Sequence, residues 1–466
     1  LNAQPASRIR SISLFTATCI VIANMIGTGV FTSLGYQVGG LPTGFSIVVL
    51  WLVGGITALC GALVYGELAA ALPRSGGEYH LLSATLHPSL GFLAGWISVT
   101  VGFAAPVALA AMAFGTYFHN AWAVLPPGPL SIALVVVMTL IHLYGTKVGS
   151  AFQDGSTVLK VVLVLVLIAA GMLVKDAQPV SFLPQAGDWH LVSSTSFAIS
   201  LIYVMYAYSG WNATAYIVGE VRDPGRNVPL SVLIGTLFVT LLYVLVNAVF
   251  MHATPLAELG KSGEQVAYVA AGHIFGDYGG RAMAALIAIG LVSSVGAMTW
   301  IGPRVSVAMG EDWRALSLLA RKTRGGVPAF AILVQSALVI AFICWVKFDS
   351  LLKYIQFGLS ISSFLTVLGI FFLRVRRPEL PRPCRCWGYP VTPLIFLAVN
   401  LWMLWYTLKG NPRESLTGLA TMLAGLLIYV FSKHKPNRAD FEAVREVPAD
   451  EIALSQPAVQ SAPPQP

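Results

Sequence analysis

The chain has 466 residues, of which 56% are hydrophobic and only 10% charged, with a mean hydropathy of +0.75. An ordinary soluble domain carries roughly 25% charged residues, so a water-soluble globule is excluded and an all-helical integral membrane protein is expected. The formal net charge of +8 would suit nucleic acid only if the cations shared one folded face.

A membrane-crossing helix needs about 17–25 predominantly apolar residues. Such runs read at 12–35, 45–72, 91–118, 130–146, 153–174, 195–219, 230–252, 282–303, 328–346, 354–374, 389–408 and 415–432, which makes twelve. The first is too long, and too polar and glycine-rich in its middle, for a cleavable signal peptide. With residues 1–11 as a cytoplasmic segment, only Lys175, Lys261, Arg281, Lys347, Lys353, Lys409 and Arg413 fall in external segments. Lys160 sits inside a span, and the remaining Lys and Arg are cytoplasmic, as the positive-inside rule requires. The basic charge is thus a matter of topology and implies no nucleic acid. A multi-pass protein of the cell membrane with both termini cytoplasmic is expected. The external stretch 253–281 is expected to carry a short amphipathic helix near Gly263–Gly272, and the loop 305–327 a surface helix. The tail 433–466 has too few large apolar residues to bury a core and reads as disordered.

Two spans are interrupted. Ile26-Gly27-Thr28-Gly29 lies in the middle of the first, and Tyr208-Ser209-Gly210-Trp211-Asn212 in the middle of the sixth. Paired breaks at matching places in two halves are the best sequence pointer to a transporter's central site. Five spans separate them, so the second half, 195–374, is expected to be inverted relative to the first, 12–174, with 389–432 peripheral. Gly27 and Gly29 can adopt positive φ and unwind the helix, and the exposed backbone must then face protein or a hydrated cavity. Freed N–H groups at the start of the following half-helix favour a carboxylate, and the carbonyls before it favour an ammonium. A zwitterionic amino acid offers both. The competing reading of the glycines is close helix packing. Tyr203, Tyr206, Tyr208 and Trp211 sit away from the interfaces where an aromatic belt would place them and suit the wall of a pocket.

Lys160 lies about eight residues into the fifth span, about 12 Å from its cytoplasmic end at 1.5 Å per residue. Either it snorkels to the interface, or its ammonium bonds the carbonyls freed by the first break. Glu67, followed by Pro73, Gly76, Gly77 and Glu78, belongs either to an inner gate or to a salt bridge with a loop arginine. No acidic side chain is found mid-span. His119, His142 and His190 show no ligand spacing, and Cys384-x-Cys386 is a lone pair, so no metal is expected. No structural disulfide is expected from the cysteines at 19, 60, 344, 384 and 386. No nucleophile–base pair, phosphate loop or cofactor motif is visible, which argues against an enzyme and against ATP as the energy source.

Four segments in order carry a resemblance: IGTGVF at 26–31, YGELAAALPRSGGEY at 65–79, YAYSGWN at 206–212 with GEVRDPGRNVP at 219–229, and SSVGAMTWIGPRVSVAMGED at 293–312. Over about 10–430 the chain resembles the amino acid–polyamine–organocation superfamily, and within it the L-type amino acid transporter family and its bacterial relatives. The resemblance implies twelve transmembrane helices in a LeuT-type five-plus-five inverted repeat with discontinuous helices 1 and 6, and alternating-access transport, usually sodium-independent exchange. It further implies that Gly27, Thr28 and Gly29 hold the substrate carboxylate and that Ile26, Tyr206, Ala207 and Ser209 offer carbonyls to its amine. Gly210 and Trp211 then belong to the binding segment, Tyr206 falls at the aromatic gate, and Lys160 stands where sodium-driven relatives hold a cation. Two departures matter. Gly219-Glu220-Val221 replaces the paired acids often found there, and the external loop 118–130 lacks the cysteine by which animal members bind a heavy subunit, so none is expected here.

The leading expectation is an exchanger of small to medium neutral amino acids, with the lipid bilayer and the amino acid as its partners and no cofactor. The alternatives are a proton-coupled symporter, a carrier of cationic amino acids or polyamines, and, from another class, a nutrient sensor or channel. Side-chain preference would be set by residues of the third, sixth, eighth and tenth spans, and Pro106 is expected to kink the third.

Overall fold

A computed structural model describes residues 12–144, 149–323 and 325–432. The expectations for 1–11 and 433–466 lie outside the described residues. Within them every regular element is helical, apart from a single bridge between Ile12 and Val221.

The first span is two pieces. Helix α1 (Leu14–Met25) starts where the Ser13 hydroxyl accepts the Thr16 N–H, satisfying one orphan donor of its first turn. It stops because Ile26 (ψ 81°) and Gly27 (φ −123°, ψ −142°) leave helical space. Helix resumes as α2 (Thr28–Thr32) and continues through Ser33, itself helical (φ −67°, ψ −36°), into α3 (Leu34–Gln37). Next come α4 (Gly44–Ala71), a short α5 (Glu78–Thr85) and α6 (Pro88–Ile97). A π-helical turn, Ser98–Gly102, joins α6 to α7 (Ala104–Trp122). Pro106 explains it: the ring has no N–H for the Gly102 carbonyl and would crowd it, and the Phe103 N–H reaches five residues back to Ser98. The expected irregularity in the third span is therefore an inserted wide turn.

Beyond α8 (Pro127–Tyr144), α9 (Gly149–Met172) and α10 (Asp188–Val192), the second interrupted span begins as α11 (Thr195–Ala207). It does not resume as an α-helix. Short 3₁₀ segments, Ala213–Tyr216 and Val218–Glu220, complete it, so the apolar run 195–219 is not one continuous helix. The remaining helices are α12 (Pro224–Ala253), α13 (Leu256–Leu259), α14 (Val266–Asp312, kinked at Gly276), α15 (Ala329–Trp345), α16 (Phe348–Arg376), α17 (Val391–Gly410) and α18 (Pro412–Phe431). The helix expected near 263–272 is the start of α14 after one 3₁₀ turn, and that in 305–327 is a 3₁₀ segment, Arg314–Ala320.

Among the described residues, nine helices are long and apolar enough to cross a membrane. Three shorter apolar helices, Thr157–Met172, Thr195–Ala207 and Ala329–Trp345, coincide with the other apolar runs. The most extensive contacts pair α4 with α12 and α7 with α14, with α1 wedged against α9 and α12. Large apolar side chains point outward from the surrounding helices, including Val137 and Leu140 on α8, Val162 and Val166 on α9 and Leu423 and Leu427 on α18. An outer surface this apolar suits lipid and not water.

Candidate functional site

The first break is held by donors from two other helices, α9 and α12. Lys160 of α9 is 4% exposed, and its Nζ donates to Ser294 Oγ of α14 at 2.6 Å and to the Ile26 carbonyl at 3.4 Å. Gly290 makes room: a Cβ there would lie 3.3 Å from Lys160 Cγ. An ammonium so enclosed does not snorkel, and that reading is discarded. Tyr243 of α12, fully buried, donates its hydroxyl to the Met25 carbonyl and, at 3.1 Å, to the Ala207 carbonyl. One hydroxyl thus ties the last carbonyls of both half-helices, which lipid could not satisfy. Tyr243 is not among the candidates named from sequence. The available signal was a polar aromatic in the middle of an apolar span.

The two glycines of the first break differ. Gly27 adopts a negative φ, and a Cβ there would meet only the Met25 carbonyl oxygen, at 3.9 Å. Gly29 lies inside α2, where a Cβ would fall 2.4 Å from Ala207 Cα. The expected positive φ at these positions is corrected: Gly29 is needed because α2 and α11 touch at backbone distance, the close-packing role. Positive φ belongs to the second break, at Gly210 (φ 97°), which packs against Asn24 of α1. The Tyr206 hydroxyl lies 3.2 Å from Thr28 Oγ1, covering the first break. The carbonyls named in the sequence reading already have protein donors at three places: Ile26 from Lys160, Ala207 from Tyr243 and Tyr206 from the Ser209 N–H at 2.9 Å.

A central cavity of about 80 Å³ opens on the second break. Ser209, Gly210, Trp211 and Asn212 line it from the break and Asn24 from α1, whereas Gly27, Thr28 and Gly29 do not. Ile26 instead borders a smaller cavity of about 20 Å³ together with Lys160. The rest of the central wall comes from Phe103 and Pro106 of the third span, Met298 of α14, Gln356, Ser360 and Ser363 of α16, and Asn400 of α17. Trp211 is clamped edge-on between Tyr65, 4.6 Å away, and Phe396, 6.2 Å away. Asn400 donates its amide to the Phe396 carbonyl at 2.9 Å, leaving Oδ1 as an unpaired buried acceptor, as is Gln356 Oε1. No acid lies mid-span, but one reaches the cavity from between two spans. Gly76 (φ 132°) and Gly77 (φ 55°) turn the chain back after α4, and Glu78 at the head of α5 reaches the cavity wall.

Aromatic rings pack against one another toward each face of the bundle. On the face opposite Ile12, Tyr36 stacks on Tyr203 with ring centroids 5.3 Å apart and on Phe348 at 6.5 Å. Asp349 accepts from the Tyr203 hydroxyl at 2.6 Å and from Lys353 at 2.7 Å. On the face that carries Ile12, the Phe103 and Tyr216 rings meet edge-on at 5.5 Å. Beyond them lies a vestibule of about 510 Å³ bordered by the pair Arg304–Glu220 and by Arg74, which pairs with Asp312. Glu67 is not at this gate. It is completely buried, receives Arg374 at 2.5 Å and the Cys386 N–H at 2.7 Å, and lies 3.4 Å from Arg382. Of its two expected roles, the structure gives the salt bridge.

Comparison with protein families matches residues 12–431 to the family described as amino acid permease. The chain belongs to that family. Among similar proteins, the serine/threonine exchanger SteT of Bacillus subtilis is 27% identical, over 91% of this chain and 97% of that protein. The Asc-type amino acid transporter 1 of Homo sapiens is 28% identical, over 92% of this chain and 83% of its own length. The b(0,+)-type amino acid transporter 1 of Mus musculus is 25% identical, over 90% and 87%. These relatives agree with the resemblance to the L-type transporters within the amino acid–polyamine–organocation superfamily. The permease is therefore a multi-pass membrane transporter of amino acids and not an enzyme.

Proposed function

We propose that this permease is a sodium-independent exchanger of small to medium neutral L-amino acids, working by alternating access in the cell membrane with both termini cytoplasmic. The observation that carries the reading is the Lys160 ammonium on the Ile26 carbonyl and on Ser294. A fixed cation bonded to a broken helix's last carbonyls does the electrostatic work of a bound sodium ion. Twelve crossings in two inverted five-span repeats, 12–174 and 195–374, with 389–432 outside them, agree with the pairing of α4 with α12 and α7 with α14, elements that correspond under such a repeat. The N–H groups of Gly27, Thr28 and Gly29 take the substrate carboxylate once Tyr206 leaves Thr28, and Ser209, Gly210 and Trp211 border the rest of the molecule. The exchanger activity that names one relative, SteT, supports exchange over uniport. The chain works without a disulfide-linked heavy subunit.

Glu78 on the cavity wall favours a second reading, transport of cationic amino acids. Reconstitution separates the two. Uptake of labelled serine, alanine or leucine into proteoliposomes should require unlabelled amino acid inside and be indifferent to sodium. Uptake driven by a proton gradient into empty vesicles would make the permease a symporter, and displacement by lysine but not by alanine would select the second reading.

A further inference from the structure

Two enclosed carboxyls flank the turn after α4, and their surroundings are opposite. Glu67, 0% exposed, faces two guanidiniums. Glu78, 2% exposed, receives only neutral donors: the Tyr65 hydroxyl at 2.5 Å, the Ser363 hydroxyl at 2.9 Å and the Asn212 amide at 3.4 Å. Among the described residues no cation lies within ion-pair distance of it. α6 and α16 pack on α5. α6 brings no ionisable side chain, and the α16 arginines are engaged elsewhere, Arg374 with Glu67 and Arg376 with the Leu86 carbonyl. Tyr65 and Tyr216 are the titratable groups that face Glu78, and His80 on the same short helix is held neutral by burial and by Arg74, which push it down to about 3. Glu78 lies between the spans, at the wall of the central cavity and beside Asn212 of the second break. Burial raises its carboxyl from 4.5 to about 7, while the bonds from Tyr65 and Ser363 pull the other way.

An ionised carboxyl in this position needs water or a cation in the cavity to offset its desolvation. A neutral amino acid sealed into the cavity excludes water and adds no net charge, because its α-ammonium is matched by its own α-carboxylate. We propose that Glu78 is a proton-binding site of the transport cavity, protonated while a neutral substrate is enclosed and releasing that proton to water when the cavity opens. The inference rests on the amino acid exchange reading. Its chemistry is a simple ionisation, the carboxylic acid giving a carboxylate and a proton that leaves through the opened vestibule. Substrate and proton therefore bind with positive linkage. Acid favours binding of a neutral amino acid, and alkali weakens it, because the carboxyl must first take up a proton. A substrate with a cationic side chain replaces that proton and loses this dependence.

The test is exchange of labelled serine in proteoliposomes of the full chain, with equal pH on both sides, from about 5.5 to about 8.5. The expected wild-type result is an apparent KM that is flat in acid and rises, by roughly up to tenfold per pH unit, above about 7. Tyr65→Phe removes a donor that favours the ionised form, so the transition should move to higher pH, a displacement that a merely structural role would not produce. Glu78→Gln should abolish the transition. A flat wild-type profile overturns the proposal, and so does a transition that survives Glu78→Gln. Should Glu78→Gln fail to fold, a transition unmoved by Tyr65→Phe overturns it equally. Absence of any amino acid exchange at every pH would instead refute the exchange reading, whereas exchange with a flat profile removes only the role of Glu78.

Discussion

Replacing Lys160 by methionine separates an ammonium that serves the site from one that only fills a helix interface. Methionine keeps most of the stem volume beside Gly290 and deletes the bonds to Ser294 at 2.6 Å and Ile26 at 3.4 Å. A hydrogen bond to a charged group is worth about 1.5–3 kcal/mol net; the shorter of these falls in that range and the longer one contributes less. The Ile26 carbonyl left behind loses its ammonium donor, so the geometry of the first break loses roughly 3 kcal/mol of support. At about 1.4 kcal/mol per factor of ten, exchange should fall on the order of a hundredfold. Stability should move differently. Exchanging a buried ion for an apolar group of similar volume is often neutral or stabilising, so the thermal midpoint in detergent should hold or rise. Labelled serine exchange and a thermal melt on the same preparation read the two effects. Exchange within about threefold of wild type would refute the reasoning, as would complete dependence of the wild type on sodium.

Three further outcomes follow from the same geometry. Gly29→Ala places a Cβ 2.4 Å from Ala207 Cα, and the backbone contact cannot yield as a flexible side chain would; overpacking of about 1–3 kcal/mol should lower the melting temperature and abolish exchange together. Tyr243→Phe takes the side-chain donor from the Met25 and Ala207 carbonyls; Met25 keeps the Gly27 N–H at 2.8 Å, so the cost of about 1–3 kcal/mol falls on the Ala207 carbonyl, and exchange kinetics should show a loss of roughly tenfold. Glu67→Gln removes the charge that balances Arg374 and Arg382; breaking such a pair costs about 3–5 kcal/mol. Its signature is a depressed melting temperature with an unchanged apparent KM for serine in the fraction that folds.

Much of the architecture was legible in advance because it is a local matter. Apolar runs mark helices wherever lipid is the solvent, and the breaks at Ile26–Gly27 and at Gly210 fall where the glycines stand. The partial misreadings have local causes too. The run 195–219 is interrupted where the sequence places the break, but apolar composition does not distinguish an α-helix from the successive 3₁₀ turns that follow it. Gly29 was given an unwinding role because an unwound glycine and a glycine pressed on a neighbouring backbone look alike in sequence.

The sequence by itself determined that this chain lives in a membrane, where its helices run and break, and to which family of carriers it belongs, since each of these is written in composition and short-range order. Tertiary structure alone decided the partners. Lys160 reaches a carbonyl 134 positions away, Tyr243 joins both breaks, and Glu78, in what reads as a loop, arrives at the cavity wall. The physical reason is that the environment of a buried polar group is set by which helices pack beside it, and that packing is a property of the assembled bundle.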